Sequence, residues 1–268
     1  MRTQFSKFAL VAALGLALTF TLSCSGGGGG DGDGGGTSSP SGGGAGSGGS
    51  CPNAVIGNGT VSCGGQTYKT VKIGSQNWMA ENLNYTITGS KCGTDITFIT
   101  DDGRESYELS DANTTYCDKY GRLYDWSTAM GIDAKYNTNL RNGSDVKHRG
   151  ICPSGWHLPN IDDWKELTSY VENNSGCSYC AGAKLKAKGE WDYDVPPSTD
   201  EFRFSALPGG EGSSSLSSFG GAGSYGVWWS ASEHTSLMSN IVRMEINDVF
   251  RSSKNKSNLS SVRCVQDD

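Results

Sequence analysis

The sequence predicts an α+β domain, and three observations carry that prediction. One stretch, residues 152–171, opens on a cysteine and two prolines and runs into the best amphipathic helix of the chain. Downstream of it, short apolar pieces alternate with glycine-rich loops, and no strand–helix–strand repeat is visible, which separates α+β from α/β. Nine cysteines in an exported chain, eight of them beyond the leader region, point to a framework of disulfides around long loops.

Residues 1–23 read as an export signal. Arg2 and Lys7 form a positive start, and an apolar run follows that is too short and wrongly flanked to span a membrane. The string TLSC at 21–24 resembles a lipoprotein signal in part: Ser23 fits, while Thr21 stands where leucine is usual. Cys24 is therefore the expected lipidated residue, with plain secretion as the alternative. Ser25, not aspartate, follows it. That absence of the inner-membrane retention signal predicts an outer-membrane, surface-exposed address. Residues 24–50 are almost entirely glycine and serine and cannot bury a core, so they are expected to act as a disordered tether. Such a chain reaches about 25–30 Å.

Residues 51–268 are long enough for one folded domain. Without Arg2 and Lys7 the basic residues fall from 22 to 20 against 28 acids, leaving a net charge of −8. That balance argues against nucleic acid or an acidic lipid surface as partner; membrane contact is expected only through the anchor. Loop logic favours pairing Cys51 with Cys63 around the Asn58-Gly59 turn, and Cys92 with Cys117 across an irregular insertion. Cys177 and Cys180 form a local pair, and Cys152 with Cys264 would tie the central stretch to the C-terminus.

Element by element, 51–63 reads as a small stapled hairpin. Thr67, Lys69, Val71 and Ile73 alternate with polar neighbours as in a strand, Gly74-Ser75 turns, and 76–83 returns as a second strand. Residues 86–116 are polar and aperiodic and are expected to be a loop. Leu123, Trp126 and Met130 predict one short buried helix over 120–130, ending at Gly131. Pro153 and Pro159 hold Trp156, His157 and Leu158 extended. Asn160 then caps a helix whose first turn carries Asp162 and Asp163 and whose apolar face is Ile161, Trp164, Leu167, Thr168 and Val171. Further short pieces lie at 183–191, 201–210, 225–234, 241–248 and 261–265. Val242, Met244 and Ile246 alternate as a strand.

No catalytic constellation stands out. His157 sits among apolar and aromatic residues, as a hydrogen-bonded core histidine does, and His148 and His234 add no zinc-ligand spacing. Ser205 and Ser230 lack a nucleophile elbow. Cys177-Ser178-Tyr179-Cys180 has redox-motif spacing but follows a helix end instead of opening a helix. Asp200, Glu201 and Asp248 are scattered acids. Trp228 and Trp229 are the candidate ligand-binding residues: adjacent on a strand, they point to opposite faces, so one could stack on a sugar.

Several strings resemble, in order, the Fibrobacter succinogenes major paralogous domain of secreted bacterial proteins. They are GQTYKTVKIGSQNWMAENLNY, YGRLYDWSTAM, CPSGWHLP with DDWKEL, GAKLKAKGEW, FSALPGG, VWWSASE and SVRCV, spanning about 65–265. The resemblance brings no assigned reaction. The helix-opening signature of Trp156, His157, Pro159, Asn160 and Trp164, the late WWS strand and the closing RCV strand also resemble the C-type-lectin-like fold and its formylglycine-generating branch. That resemblance implies a twisted antiparallel sheet with one or two main helices, long loops and neighbouring termini. It also implies that Cys152–Cys264 corresponds to the long disulfide of lectin domains. The reactive cysteine pair of the formylglycine enzymes is not matched, since Cys264 stands alone. Nor are the calcium-dependent sugar triplets of lectins, of which Glu245-Ile246-Asn247-Asp248 is a faint echo.

The expected function is thus a non-enzymatic, lipid-anchored surface module contacting polysaccharide or a surface protein, with no metal and no cofactor. A secreted enzyme using loop carboxylates on cell-wall glycan or protein is the alternative. Loops 86–116, 131–149 and 209–225 are where a binding surface is expected.

Overall fold

A computed structural model describes residues 51, 56–57, 59–99, 105–110, 115–213 and 218–268. The leader at 1–23, Cys24 and the glycine-rich segment to residue 50 lie outside the described residues, as does Asn58 of the first turn.

Strands β1 (Ile56–Gly57) and β2 (Thr60–Cys63) form the expected hairpin, with Gly59 at φ 75° in its turn. Next come β3 (Gln66–Ile73) and β4 (Gln76–Met79), separated by Gly74 at φ 64°, a left-handed conformation that favours glycine. The return strand ends at Met79, short of Leu83.

Within the region expected as an irregular loop, described residues form regular elements. β5 (Cys92–Ile99) and β6 (Glu105–Ser110) pair antiparallel, and helix α1 (Thr115–Tyr120) follows. The TDITFIT segment is rich in β-branched and aromatic residues, the types that suit a pleated surface. The single helix expected over 120–130 is also corrected. Gly121 at φ 81° breaks the chain, β7 (Leu123–Tyr124) intervenes, and α2 (Trp126–Met130) begins only after Asp125. The Asp125 carboxylate accepts from Thr128 N at 2.8 Å, and Gly131 closes the helix at φ 63°.

A 3₁₀ turn at Ala134–Asn137 precedes β8 (Trp156–His157). The main helix α3 (Ile161–Ser175) starts where its sequence signals place it. Asn160 Oδ1 accepts from Asp162 N (2.7 Å) and Asp163 N (3.0 Å), Asp163 reciprocates to Asn160 N (2.8 Å), and Gly176 ends it at φ 64°. Helix α4 (Ala181–Leu185) follows. β9 (Gly209–Ser213), β10 (Ser218–Ala222), β11 (Gly226–Glu233), β12 (Met238–Glu245), β13 (Asp248–Asn255), β14 (Ser260–Ser261) and β15 (Val265–Gln266) complete the described chain.

Two sheets result. The first runs β1-β2-β3-β4-β15-β8 and is antiparallel throughout, so the last strand lies between two much earlier ones. The second runs β13-β12-β11-β9-β10-β6-β5, with β14 also against β11. It is antiparallel except where β11 meets β9 and β14. A sheet-rich α+β domain with few helices is therefore observed.

Helix α3 lays Trp164, Leu167 and Val171 against Trp78, Phe204 and Trp228. The Trp78 and Trp164 ring centroids are 4.8 Å apart, and those of Trp164 and Trp228 are 6.2 Å apart. Burying side chains of this kind contributes about 1.5–3 kcal/mol each. A second cluster gathers Met79, Trp126, Trp156 and Trp229 around the Cys152–Cys264 bridge. Four disulfides form: Cys51–Cys63, Cys92–Cys117, Cys152–Cys264 and Cys177–Cys180.

Candidate functional site

The signature at 156–164 is built into the core. Trp156 and Trp164 are buried, the Pro159 carbonyl accepts from Ala231 N at 2.8 Å, and Asn160 serves as the helix cap. His157, also buried, bridges two elements. Its Nδ1 lies 2.6 Å from Asp267 Oδ1 beside β15, and its Nε2 lies 3.3 Å from Asp163 Oδ2 in the first turn of α3. Both ring nitrogens are thus engaged, and the histidine acts as a clasp between helix start and C-terminus. Asp163 is expected from sequence only as a first-turn carboxylate of the helix, and Asp267, 110 residues from His157, is not expected there at all.

Burial opposes a charged ring at His157. Hydrogen bonds accepted by the Asp163 and Asp267 carboxylates, and their charges, outweigh it and raise the pKa above the ordinary value. A raised folded-state pKa means that the stabilisation is fully present below the unfolded value of about 6.5 and is lost as pH climbs through the folded value. The urea midpoint is therefore expected to fall as pH rises from about 6 to about 9, with a flatter profile in His157→Gln. Parallel profiles for the two proteins would remove His157 as the source.

Trp228 and Trp229 are corrected as ligand-binding candidates. They do point to opposite faces of β11, but both faces are covered and both side chains are 0% exposed. Trp228 faces α3 and donates to Asn82 Oδ1 at 2.8 Å; Trp229 faces the other cluster and donates to the Tyr124 carbonyl at 2.7 Å. The scattered acids are engaged locally. Asp200 accepts from Ser205, Glu201 pairs with Lys184, and Asp248 accepts from Val249 N. Among the described residues no three His, Cys, Asp or Glu side chains converge as a metal site.

Exposed aromatic and aliphatic surface collects elsewhere. Tyr193, Val195, Ser224, Tyr225, Glu245 and Ile246 line a cleft of about 330 Å³. Tyr193 is 73% exposed, Val195 77% and Ile246 58%. Ile246 was expected as a strand position. It sits instead in the two-residue turn between β12 and β13, at φ 37°, a conformation a β-branched residue adopts only under constraint. Only Ser224 and Tyr225 touch the end of a loop expected to form a binding surface.

The cleft is rigidly supported. The Arg243 guanidinium lies 3.8 Å over the Tyr225 ring, and its Nη2 pairs with Glu245 at 2.8 Å. The Tyr225 hydroxyl hydrogen-bonds Glu211 Oε1 at 3.1 Å. Burial and the neighbouring Glu211 carboxylate push this phenol well up, so it stays protonated. Beneath the cleft, Lys186 is fully buried. Its Nζ donates to the Ile246 carbonyl at 2.6 Å, pairs with Asp194 at 3.2 Å and stands 4.4 Å from the Trp191 ring centroid. Both walls, the 191–195 loop and the β12–β13 turn, are thus tied to one ammonium. The aromatic residues Tyr193 and Tyr225, lying among glycines, serines and aspartates, were the overlooked sequence signal.

A family model described as Fibrobacter succinogenes major domain matches residues 71–266, from within β3 to the end of β15. No curated protein and no solved structure matches the chain.

Proposed function

The chain belongs to the Fibrobacter succinogenes major domain family, and on that premise we propose that its folded part is a C-type-lectin-like module that binds polysaccharide without turning it over. The observation that carries this reading is the cleft at Tyr193 and Tyr225. It is an exposed, apolar, aromatic-lined surface with a carboxylate and a hydroxyl at its edge, on a domain that buries the tryptophans of both its core clusters. The apolar face of a sugar ring stacks on such a surface, while Glu245 and Ser224 accept or donate to its hydroxyls. Because Arg243 and Lys186 hold the walls in place before binding, little ordering cost is left to offset.

The lectin-like assignment is supported by one main helix against antiparallel sheets, the last strand inserted beside early ones, and the Cys152–Cys264 bridge. Lipidation of Cys24 and the glycine- and serine-rich stretch to residue 50 would hold the module at the outer surface of the outer membrane. Labelled palmitate incorporation should then disappear in Cys24→Ser; retention of the label would refute that anchor.

Binding is tested by pulldown on insoluble cellulose and on neutral glycan arrays, run beside a reducing-sugar release assay. Tyr193→Ala is expected to weaken retention about tenfold, the loss of one stacking contact, with an unchanged unfolding midpoint. Release of reducing ends, or retention indifferent to Tyr193→Ala, would sink the proposal.

A further inference from the structure

A second cleft, of about 620 Å³, opens between β3 and the loop at 200–207, and its charges are unevenly committed. Lys69, Lys72 and Arg203 line it as exposed cations, and among the described residues none of their charged ends has a hydrogen bond or an ion pair. The two carboxylates in the cleft are already occupied. Glu81 Oε2 accepts from Lys69 N at 2.8 Å, while Asp200 accepts from Ser205 N at 2.8 Å and Ser205 Oγ at 2.7 Å.

The Asp200 bonds brace a loop in which Asp200, Arg203 and Ser205 all have left-handed backbones, at φ 46°, 56° and 53°. Such conformations persist in L-residues only where the surroundings over-determine them.

Directly beneath lies Arg263, 0% exposed and held by neutral acceptors: Asn82 Oδ1 at 2.7 Å, the Ser205 carbonyl at 3.1 Å and the Phe204 carbonyl. Its guanidinium stands 4.4 Å from the Phe204 ring centroid and has no carboxylate in contact among the described residues. Burial pulls it down to about 9, opposed by the charges of Asp200 and Glu81. A buried cation without a direct counter-ion is costly and projects its field toward the nearest opening. Four cations therefore face two carboxylates here, on a chain whose formal charge is −6.

Thr70 and Lys72 also line an adjoining cleft of about 460 Å³ with Asn77, Gln266, Asp267 and Asp268, so the cationic surface ends where those two carboxylates begin. A ligand that brings a few separate carboxylates to Lys69, Lys72 and Arg203 suits a cleft of this extent. A densely charged polyanion is disfavoured by the acidic remainder of the protein. We infer that this cleft binds the carboxylates of an acidic oligosaccharide, with Lys69, Lys72 and Arg203 as its ligating cations. The site is separate from the neutral stacking cleft at Tyr193 and does not depend on it.

The test uses the full chain with hexagalacturonate as the acidic probe and cellohexaose as the neutral one, by titration calorimetry at low and at physiological salt. Hexagalacturonate is expected to bind, to weaken as salt rises, and to weaken about tenfold in Lys72→Glu and in Arg203→Gln. Cellohexaose binding should be untouched by either change. Unfolding midpoints confirm that these exposed variants fold, and the milder pair Lys69→Gln and Lys72→Gln repeats the test if Lys72→Glu does not. Hexagalacturonate affinity equal in wild type and variants overturns the inference, as does no binding of hexagalacturonate at all. Loss of its binding in Tyr193→Ala, with Lys72→Glu unaffected, would reassign it to the other cleft. Failure of cellohexaose to bind would remove the stacking proposal and leave this one standing.

Discussion

The double variant Cys152→Ser/Cys264→Ser is expected to lose about 4–5 kcal/mol of stability, read from equilibrium denaturant unfolding. The two cysteines are 112 residues apart, the widest separation of the four bridges, and cross-linking long loops removes the most freedom from the unfolded chain. The bridge also secures a short strand, alongside its pairing with β8 and the His157–Asp267 contact. β15 has two residues, Val265 and Gln266, and meets β4 at the single pair Val265↔Trp78. Cys264 adds one backbone bond by accepting from Met79 N at 3.0 Å. A measured loss below about 1 kcal/mol would show that packing of the surrounding core, and not the covalent tie, keeps that strand in place.

The second large effect is expected at Lys256. This side chain is fully buried, 2.6 Å from Glu233 Oε1 and 4.6 Å from the Trp126 ring centroid, and it also donates to the carbonyls of Asn139 and Ser236. Glu233 in turn accepts from Arg141 N at 2.9 Å and Asn142 N at 3.3 Å, so one ion pair fastens the 139–142 loop to the end of β11. Lys256→Met leaves the mostly buried Glu233 without its counter-charge and should cost about 3–5 kcal/mol. Adding Glu233→Gln should recover part of that loss, since the amide oxygen can still accept from the loop. If the double variant is no more stable than Lys256→Met alone, the penalty lies in lost packing on Trp126 and not in the stranded carboxylate.

What could be read from the sequence was whatever depends on near neighbours. The α3 boundaries follow from a cap, a first-turn carboxylate and an αL glycine within twenty residues of one another. The β3 turn follows from alternation that stops at Gly74. The segment at 92–110 was misread because its pairing is remote: Tyr107 of β6 sits opposite Phe219 of β10. Ile246 continued an alternation that the chain itself breaks with a turn.

Trp228 and Trp229 illustrate a different limit. Alternation correctly separated them onto two faces, but sequence does not reveal how many layers cover a strand. The buried cations were illegible for a related reason. Lys186, Lys256 and Arg263 are held largely by backbone carbonyls and rings, which carry no sequence signature. Both candidate clefts depend on loops placed by remote contacts over Lys186 and Arg263, so neither could be located beforehand.

The place of β15 between β4 and β8 has a further consequence, in time. The first sheet is open in its middle until residues 265–266 have been made, so β4 and β8 each keep an unpaired edge until then. Pairing across such a separation imposes a high contact order, and chains of that topology fold late and slowly. The domain is thus held back from closing until residues 265–266 are available.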